Sequence, residues 1–493
     1  MEPTKIQRGD TVEVKIDSLA FGGEGVARAQ NGERPLVVFV EDVVPGDTVE
    51  VKIGMKKKNF ARGFVKKMVE PSKDRIVAKC IHFGSPVGNR VEGSGENGDG
   101  IFIKGCGGCV WQFLDIQNQR KIKEQQVRDA FQRIGGFAED LVLPILGGEP
   151  WFYRNKMEFS FSRRAPNAKA PGELSLGLHL KRKHYDVTEL QECFLLEPFI
   201  GKLVMFVRAF FQKFDREKGF DPELLLKSFT VRVGKNTGEI MMIVNAENGE
   251  ENFMNDFKVA LQKYCGDEKI ALDSLYFLHL SNIKGQRNSL KETLLFGKKT
   301  IQETLRLPDG TTLQFEISPQ AFFQPNTAMA QVLYAKALEA AELSGKETVF
   351  DLYCGTGTIG LFCASKAAKV YGVELNASAI LNAKANAELN KITNAEFLVG
   401  DVQQILPEFK NREGSKNPDV VLVDPPRNGL SPKVVETVAE FGPKRIVYVS
   451  CNPTSLARDA ALFRELGYKL ISVQPVDQFP QTYHIENVAV FVK

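Results

Sequence analysis

The stretch Asp351-Leu-Tyr-Cys-Gly-Thr-Gly-Thr-Ile-Gly360 decides the fold of the carboxyl-terminal part of this chain. An apolar run from Glu347 to Tyr353 predicts a strand, and the glycine-rich turn after it leads into a predicted helix. Read literally, the turn is a G-x-G-x-x-G motif, whose glycines let a ligand approach the backbone because they carry no Cβ atom. Glu374 is predicted to end the next strand, where a carboxylate binds the ribose hydroxyls of such a ligand. The pattern therefore predicts a site for a molecule that contains adenosine.

Apolar strands alternate with helical stretches around this motif, as in a doubly wound parallel α/β sheet. Strands are predicted at residues 369–374, 396–401, 419–424 and 445–451, and a helix at 377–389. Ligands of such sheets lie at the carboxyl ends of the strands. Asp424-Pro-Pro-Arg and Ser450-Cys-Asn-Pro are therefore expected to face the adenosine ligand. The local motif leaves NAD and S-adenosylmethionine as alternatives, but a dehydrogenase needs neither a cysteine nor an aspartate there.

Cys451 directly follows a predicted strand and precedes Asn452-Pro453. A lone cysteine at such a place is usually an inert packing residue, whereas a position beside the cofactor favours a reactive thiol. A thiolate that adds to carbon 6 of uracil makes carbon 5 able to accept a methyl group, and a base must then remove the carbon 5 proton. Glu486 is the candidate base, and His484 is the alternative.

The composition is that of an ordinary soluble globular protein. The chain has 493 residues, of which 43% are hydrophobic and 25% charged, and its length predicts about two to four domains. The polar start of the chain predicts no secretory signal. No run of about 18 apolar residues predicts a membrane span, so a cytoplasmic protein is expected. The net charge of +3 is too small to indicate nucleic acid by itself.

Two basic clusters are interpreted either as solvated faces or as phosphate contacts. They are Lys56, Lys57, Lys58, Arg62, Lys66 and Lys67, and Lys181, Arg182, Lys183 and His184. The first cluster falls within residues 1–69, which predict five short strands and a small OB-like barrel, a shape often used for RNA. A structural adaptor barrel is the alternative. Residues 70–310 mix strands with helices and predict an α+β domain, and residues 311–493 predict the α/β domain.

The cysteines form a second candidate site. Cys106-Gly-Gly-Cys109 is a C-x-x-C motif, with Cys80 before it and Cys193 after it. Four thiolates suit zinc or an iron–sulfur cluster. A redox pair is the alternative, although no thioredoxin-like βαβ pattern surrounds the motif. Cys354 and Cys363 are interpreted as packing residues.

The segment from about 311 to 493 resembles the RNA uracil-5-methyltransferase family. The resemblance lies in Ser318-Pro-Gln-Ala-Phe-Phe-Gln-Pro-Asn, Asp351-Leu-Tyr-Cys-Gly-Thr-Gly, Asp424-Pro-Pro-Arg-Asn-Gly, Val447-Tyr-Val-Ser-Cys-Asn-Pro-Thr-Ser-Leu-Ala-Arg-Asp and Phe479-Pro-Gln-Thr-Tyr-His-Ile-Glu. It implies that Cys451 is the nucleophile and Glu486 the proton acceptor. Phe322 and Gln324 would meet a uracil flipped out of its stack. The S-adenosylmethionine site would be lined by Gln324, Tyr353, Thr358, Glu374, Asp401 and Asp424.

The resemblance extends to the rest of the chain. Phe21-Gly-Gly-Glu-Gly-Val-Ala-Arg and Val44-Pro-Gly-Asp-Thr-Val resemble a TRAM domain, which implies RNA binding. In one branch of the family, four cysteines hold a [4Fe–4S] cluster, and their arrangement is similar to that of Cys80, Cys106, Cys109 and Cys193. That branch has only a few residues between its first two ligands, whereas 25 residues separate Cys80 from Cys106 here. The glycine-rich tract from Val91 to Gly100 is interpreted as a hairpin-like insertion, which costs little loop entropy.

These observations together predict formation of 5-methyluridine in RNA by a monomeric enzyme. TRAM and the cluster favour 23S rRNA over tRNA as substrate by family association. One alternative is a methyltransferase acting on a nucleobase amino group, for which Asp424-Pro-Pro resembles an acidic-Pro-Pro motif. The other is a non-catalytic RNA-binding protein, against which Cys451 and Glu486 both argue.

Overall fold

The computed structural model describes residues 5–84, 105–165, 172–181, 183, 185–220, 224–249, 253–281, 289–411 and 417–493. The glycine-rich tract at 91–100, which we interpreted as an insertion, lies outside these ranges, as do Arg182 and His184 of the second basic cluster. Among the helices of the described ranges, none is both long enough and apolar enough to cross a bilayer.

The amino-terminal strands close into a barrel of five. They are β1 (Thr11–Leu19), β2 (Gly25–Ala29), β3 (Leu36–Val40), β4 (Thr48–Lys56) and β5 (Phe60–Glu70). Their order is β1-β2-β3-β5-β4, and β3 and β5 run parallel. Alternate residues such as Val49, Val51 and Ile53 fill the interior, as the strand period requires. The predicted five-stranded barrel is confirmed.

The described residues of the middle segment form a seven-stranded sheet in the order β13-β12-β11-β10-β7-β8-β9. The elements are α1 (Ile116–Ala130), β6 (Leu146–Gly147), β7 (Lys156–Ser162), β8 (Ser175–His179), β9 (Val187–Glu189), α2 (Ile200–Glu217), β10 (Leu225–Val233), β11 (Ile240–Glu247), α3 (Met254–Asp267), β12 (Ser274–Ser281) and β13 (Ser289–Gly297). Aromatic side chains of α2 and α3, among them Phe211 and Phe257, pack in its core. A π-helical turn, Phe131–Gly135, extends α1.

The carboxyl-terminal segment begins with a hairpin, β14 (Ile301–Arg306) and β15 (Thr312–Ile317), whose turn contains the boundary we drew at 310. Helices and strands then alternate, as α4 (Thr327–Ala341), β16 (Thr348–Leu352), α5 (Thr358–Ala364), β17 (Lys369–Glu374), α6 (Ala377–Leu389), β18 (Ala395–Val399), α7 (Val402–Asn411), β19 (Val420–Val423), α8 (Pro432–Phe441), β20 (Arg445–Ser450), α9 (Pro453–Glu465), β21 (Lys469–Asp477) and β22 (Glu486–Val492). The sheet order is β18-β17-β16-β19-β20-β22-β21-β6. The strand order reverses between β16 and β19, where doubly wound sheets bind their ligands.

Helix α1 joins the middle segment to the carboxyl-terminal sheet. Asp115 caps it by accepting a hydrogen bond from the backbone N–H of Gln117 at 2.8 Å. Its apolar residues Val127 and Phe131 pack in the same core as Phe463 of α9, and β6 pairs in parallel with β21. Residues that the sequence assigned to the middle domain are thus built into the carboxyl-terminal unit.

Candidate active site

The glycine-rich turn after β16 leaves an open cradle at the carboxyl edge of the sheet. Gly355 and Gly357 have φ angles of +53° and +77°, which favour glycine. A Cβ atom on Gly357 would lie 2.7 Å from the Phe397 ring, so only glycine fits between the turn and β18. The carboxylate of Asp351 accepts a hydrogen bond from the N–H of Gly360 at 2.9 Å and fixes the start of α5.

The two acidic residues predicted to bind the cofactor lie at the ends of neighbouring strands. Glu374 ends β17, and its carboxylate accepts hydrogen bonds from the N–H groups of Gly355 at 3.3 Å and Asn376 at 2.8 Å. Asp401 follows β18 and accepts one from the N–H of Gln403 at 2.8 Å. Both carboxylates are half-buried. Together with the half-buried Tyr353 they border the cradle.

Cys451 and Glu486 are brought together by the pairing of β20 with β22. These strands run antiparallel, and their last pair is Ser450 and Asn487. Cys451 directly follows Ser450 in the chain, Glu486 directly precedes Asn487, and the charge of Glu486 acts on the Cys451 thiol. The amide nitrogen of Asn487 donates to the backbone carbonyl of Ser450 at 3.2 Å and closes this end of the ladder. Cys451 is half-buried, whereas Glu486 is 5% exposed. The predicted nucleophile and base therefore share one wall of the site.

Burial sets the protonation of this acid cluster. Burial raises the pKa of Asp424 to about 7. Burial and then the charge of Asp424 raise the pKa of Glu486 well above its ordinary value. Burial, followed by the charges of Glu486 and Asp424, raises the pKa of the Cys451 thiol to about 11. Burial therefore favours the protonated form of both groups, and in the free protein the Cys451 thiol stays protonated at neutral pH.

Arg427 is a residue of the site that the sequence reasoning did not single out, although it completes the quoted Asp424-Pro-Pro-Arg motif. Its charge lowers the pKa of Cys451 against the effect of burial. Its backbone carbonyl accepts hydrogen bonds from the Asn452 amide at 3.0 Å and the Ser455 hydroxyl at 3.2 Å. The side chain is exposed. An exposed cation beside a thiol can stabilise the thiolate and contact phosphate.

Tyr334 of α4 was also missed, because a tyrosine on an apolar helix face carries no sequence signal of a site. It is 5% exposed, and its pKa is raised first by burial and then by Asp424, Glu486 and Asp351. The phenol therefore lies close to all three carboxyl groups and remains neutral beside them.

The loop that carries Phe322 and Gln324 lies between β15 and α4 and is held by the middle domain. The Asn155 amide donates to the backbone carbonyl of Gln324 at 2.8 Å, and the Arg232 guanidinium donates to that of Ala321 at 2.6 Å. Phe322 is 65% exposed whereas Gln324 is buried. An exposed aromatic ring on an anchored loop is available for stacking.

His484, the alternative base, is poorly suited to that role. Burial, followed by the charges of Arg427, Lys123 and Arg154, lowers its pKa to about 4. Its ring packs against Tyr483 with the ring centroids 4.3 Å apart. The imidazole is thus neutral and a weak proton acceptor at pH 7.

The four cysteines predicted to bind a metal line one cavity, with Leu178 and Phe194 among the other residues that line it. Burial raises the pKa of all four thiols, to about 11 for Cys80 and about 12 for Cys109. In the described residues, however, no three or more His, Cys, Asp or Glu side chains are arranged so as to hold a metal ion. The fold brings the four thiols to one cavity. Cys354 and Cys363 pack in the carboxyl-terminal core, as expected.

Comparison with known proteins identifies the family of this chain. The sequence profile of the tRNA (Uracil-5-)-methyltransferase family matches residues 271–493, and that of the TRAM domain matches residues 5–66. An RNA methyltransferase of Halalkalibacterium halodurans is 35% identical over 98% of this chain and 97% of its own. One of Bacteroides thetaiotaomicron is 36% identical over 95% of this chain and 99% of its own. The chain belongs to the RNA uracil-5-methyltransferase family.

This membership makes the protein an enzyme that uses S-adenosylmethionine to methylate carbon 5 of uracil in RNA. The choice between NAD and S-adenosylmethionine, which the glycine motif left open, is thereby settled, and the amino-terminal barrel is a TRAM domain. The structure of Pyrococcus abyssi tRNA (uracil-54, C5)-methyltransferase in complex with S-adenosyl-L-homocysteine superposes with a TM-score of 0.67. It covers 98% of this chain and 100% of its own at 24% identity, which shows a shared fold.

Proposed function

We propose that this enzyme acts through a covalent bond between Cys451 and carbon 6 of the target uridine, and that Glu486 removes the carbon 5 proton. The observation that supports the proposal is the register of β20 and β22, whose last pair, Ser450 and Asn487, is directly followed by Cys451 and directly preceded by Glu486. The Cys451 thiol gives up its proton to solvent, the thiolate sulfur forms a bond to carbon 6, and the electron pair of the 5,6 double bond moves to carbon 5. After carbon 5 is methylated, the Glu486 carboxylate takes its proton, the double bond re-forms and the thiolate leaves.

The cradle fits the methyl donor. A Cβ atom placed on Gly355 would meet nothing within 4 Å, so the turn is open toward the site. When bound, S-adenosylmethionine would supply the methyl group from a sulfonium cation, whose charge favours the ionised forms of the nearby acids. The residues that would hold it are those the resemblance named, namely Gln324, Tyr353, Thr358, Glu374, Asp401 and Asp424. Phe322 and Gln324 would receive the flipped uracil.

The covalent step can be tested with RNA that contains 5-fluorouridine. Fluorine replaces the proton that the base must remove from carbon 5, and it cannot be removed as a cation. With S-adenosylmethionine the adduct should therefore persist and shift the protein on a denaturing gel. Cys451→Ala should abolish the shift. Glu486→Gln should instead accumulate an adduct with ordinary uridine RNA, because the last step is blocked. The mechanism would be refuted if the unmodified enzyme formed no covalent complex or if Cys451→Ala still methylated RNA. Methylation by Cys451→Ala would favour transfer to a nucleobase amino group.

For the RNA target we propose 23S rRNA, with tRNA as the second candidate. The TRAM domain and the gathered cysteines support rRNA by association, whereas the fold is shared with an enzyme whose name gives tRNA as its substrate. Incubating the enzyme with each RNA and mapping 5-methyluridine decides between them. Methylation of tRNA alone would overturn the first choice. We expect a monomer, which light scattering of the purified protein tests.

For the cysteine cavity we propose a [4Fe–4S] cluster held by Cys80, Cys106, Cys109 and Cys193. An all-thiol donor set in one cavity supports this choice. Burial raises the pKa of Cys109 and Cys193, and the charge of Arg154 opposes this effect in part. Anaerobic purification should yield a brown protein with about four irons per chain. A colourless preparation that contains zinc and no iron would overturn the assignment.

A further inference from the structure

The segment that delivers Glu486 to Cys451 contains a residue in an unusual conformation. Residues 478–485 connect β21 to β22, which begins at Glu486. Within this segment Gln481 has a φ angle of +68° and is 3% exposed. A buried residue other than glycine adopts the left-handed region only when its surroundings hold it there. The backbone conformation of the segment that leads to Glu486 therefore depends on the contacts of Gln481.

Gln119 of α1 supplies two of these contacts. Its side-chain oxygen accepts a hydrogen bond from the Gln481 N–H at 2.9 Å, and its nitrogen donates to the Gln481 side-chain oxygen at 3.0 Å. The same nitrogen donates to the carbonyls of Trp111 at 3.0 Å and Leu114 at 2.8 Å. Gln119 has no exposed surface. One buried amide thus joins α1, the segment after the C-x-x-C motif and the segment before the base.

The backbone after the C-x-x-C motif supplies the other contacts. The N–H groups of Val110 and Trp111 both donate to the Gln481 carbonyl, at 2.8 and 3.1 Å. The Tyr153 hydroxyl donates to the carbonyl of the preceding residue, Pro480, at 3.0 Å. Gln481 is therefore held on its N–H, its carbonyl and its side chain. The clamp comes from the middle domain and α1, not from the sheet that carries the nucleophile.

We propose that Gln119 and the segment from Cys106 to Trp111 form a positioning device for Glu486. Gln119 does not touch the reacting atoms and acts through Gln481. Cys451 directly follows β20, whereas Glu486 is the first residue of β22 and comes directly after the clamped segment. Loss of the clamp therefore displaces the base more than the nucleophile. This inference rests on the roles of Cys451 and Glu486 proposed above. It also gives the cysteine cavity a role, because Cys109 directly precedes the residues that bind Gln481.

The test compares Gln119→Met with Gln125→Met. Methionine keeps the length of the side chain but removes the four hydrogen bonds of Gln119. Gln125 lies on the exposed face of the same helix, and its amide donates to the half-buried Asp129 at 2.9 Å. Three quantities are measured for each variant: the affinity for S-adenosylhomocysteine, the rate of adduct formation with 5-fluorouridine RNA, and the rate at which the adduct with uridine RNA resolves into product.

We expect Gln119→Met to resolve the uridine adduct about tenfold or more slowly, since a small displacement of a base is costly. The uridine adduct should accumulate as in Glu486→Gln, whereas affinity and fluorouridine trapping should change about twofold or less. Gln125→Met should behave like the unmodified enzyme. Equal loss of trapping and resolution, or normal resolution, in Gln119→Met would overturn the inference. Trapping by the unmodified enzyme would show that the proposed mechanism itself still stands.

If Gln119→Met does not fold, Gln481→Gly provides the second variant. Glycine accepts the positive φ angle without strain but loses the side-chain hydrogen bond to Gln119. The same slow resolution with intact trapping is expected, and normal resolution would overturn the proposal.

Discussion

Replacing Lys123 by methionine should destabilise the junction between α1 and the carboxyl-terminal sheet. The Lys123 ammonium has no exposed surface and lies 2.6 Å from a carboxylate oxygen of Asp477, which is also fully buried. It further donates to the Phe479 carbonyl at 3.0 Å. Removing one partner of a buried ion pair costs about 3–5 kcal/mol, because the other charge remains buried. Arg120 still lies 3.3 Å from Asp477, so we expect the lower end, about 3 kcal/mol.

Denaturation in urea, followed by the fluorescence of Trp111, measures this cost. The Lys123 ammonium lies 5.9 Å from the centre of the Trp111 ring, so this tryptophan reports on the junction. The chain has two tryptophans, and Trp151→Phe serves as the common background. Because a chain of several domains need not unfold in one step, the transition seen by Trp111 is the one compared.

Two variants control this prediction. Lys121→Met changes an exposed lysine of the same helix and should shift the free energy of unfolding by about 0.5 kcal/mol or less. Adding Asp477→Asn to Lys123→Met removes the uncompensated charge and should recover part of the loss. If Lys123→Met were no less stable than Lys121→Met, the buried pair would not hold the junction together.

Two further predictions concern the chemistry and the cofactor turn. The rate at which iodoacetamide alkylates Cys451 should rise about tenfold per pH unit up to the pKa near 11, because only the thiolate reacts. Mass spectrometry of the Cys451 peptide should show that Arg427→Gln moves this pH profile to higher pH and that Lys433→Gln leaves it unchanged. If Arg427→Gln did not move the profile, Arg427 would have no role in activating the thiol. Gly357→Ala should weaken the binding of S-adenosylhomocysteine, measured by calorimetry, by about tenfold or more. Its Cβ atom would lie 2.7 Å from Phe397, and the positive φ angle adds about 1–2 kcal/mol of backbone strain. Gly345→Ala adds the strain without the contact and should leave the affinity unchanged, so equal affinities for the two variants would contradict a cofactor site at the Gly357 turn.

The carboxyl-terminal sheet and most of its site could be predicted from the sequence. Parallel strands carry their residues to one edge, so the motif beginning at Asp424 and the one containing Cys451 were expected together, and β19 and β20 are indeed neighbours. The alternation of strand and helix contains this information locally. Five short strands with alternating burial likewise sufficed to predict the barrel.

The contacts across the chain could not be predicted. Nothing local states that Cys451 and Glu486 lie at the same end of neighbouring strands, because that depends on the antiparallel register of the last strand. Lys123 and Asp477 are 354 positions apart, and a lysine on an amphipathic helix normally points to solvent. For the same reason the boundary at 310 fell inside a hairpin turn, and α1 was assigned to the middle domain although its apolar face packs on α9.

The electrostatics of the site explain why its acids and Arg427 occur together. Asp351, Asp424 and Glu486 are buried near one another, and each of their pKa values is raised. One oxygen of Asp351 has no hydrogen-bond partner in the structure. Buried carboxylates are costly without a compensating charge, so such a cluster suits a cationic methyl donor. The same acids disfavour the Cys451 thiolate, and Arg427 opposes them. In the proposed mechanism, the charge of Arg427 and that of the bound methyl donor both favour the Cys451 thiolate.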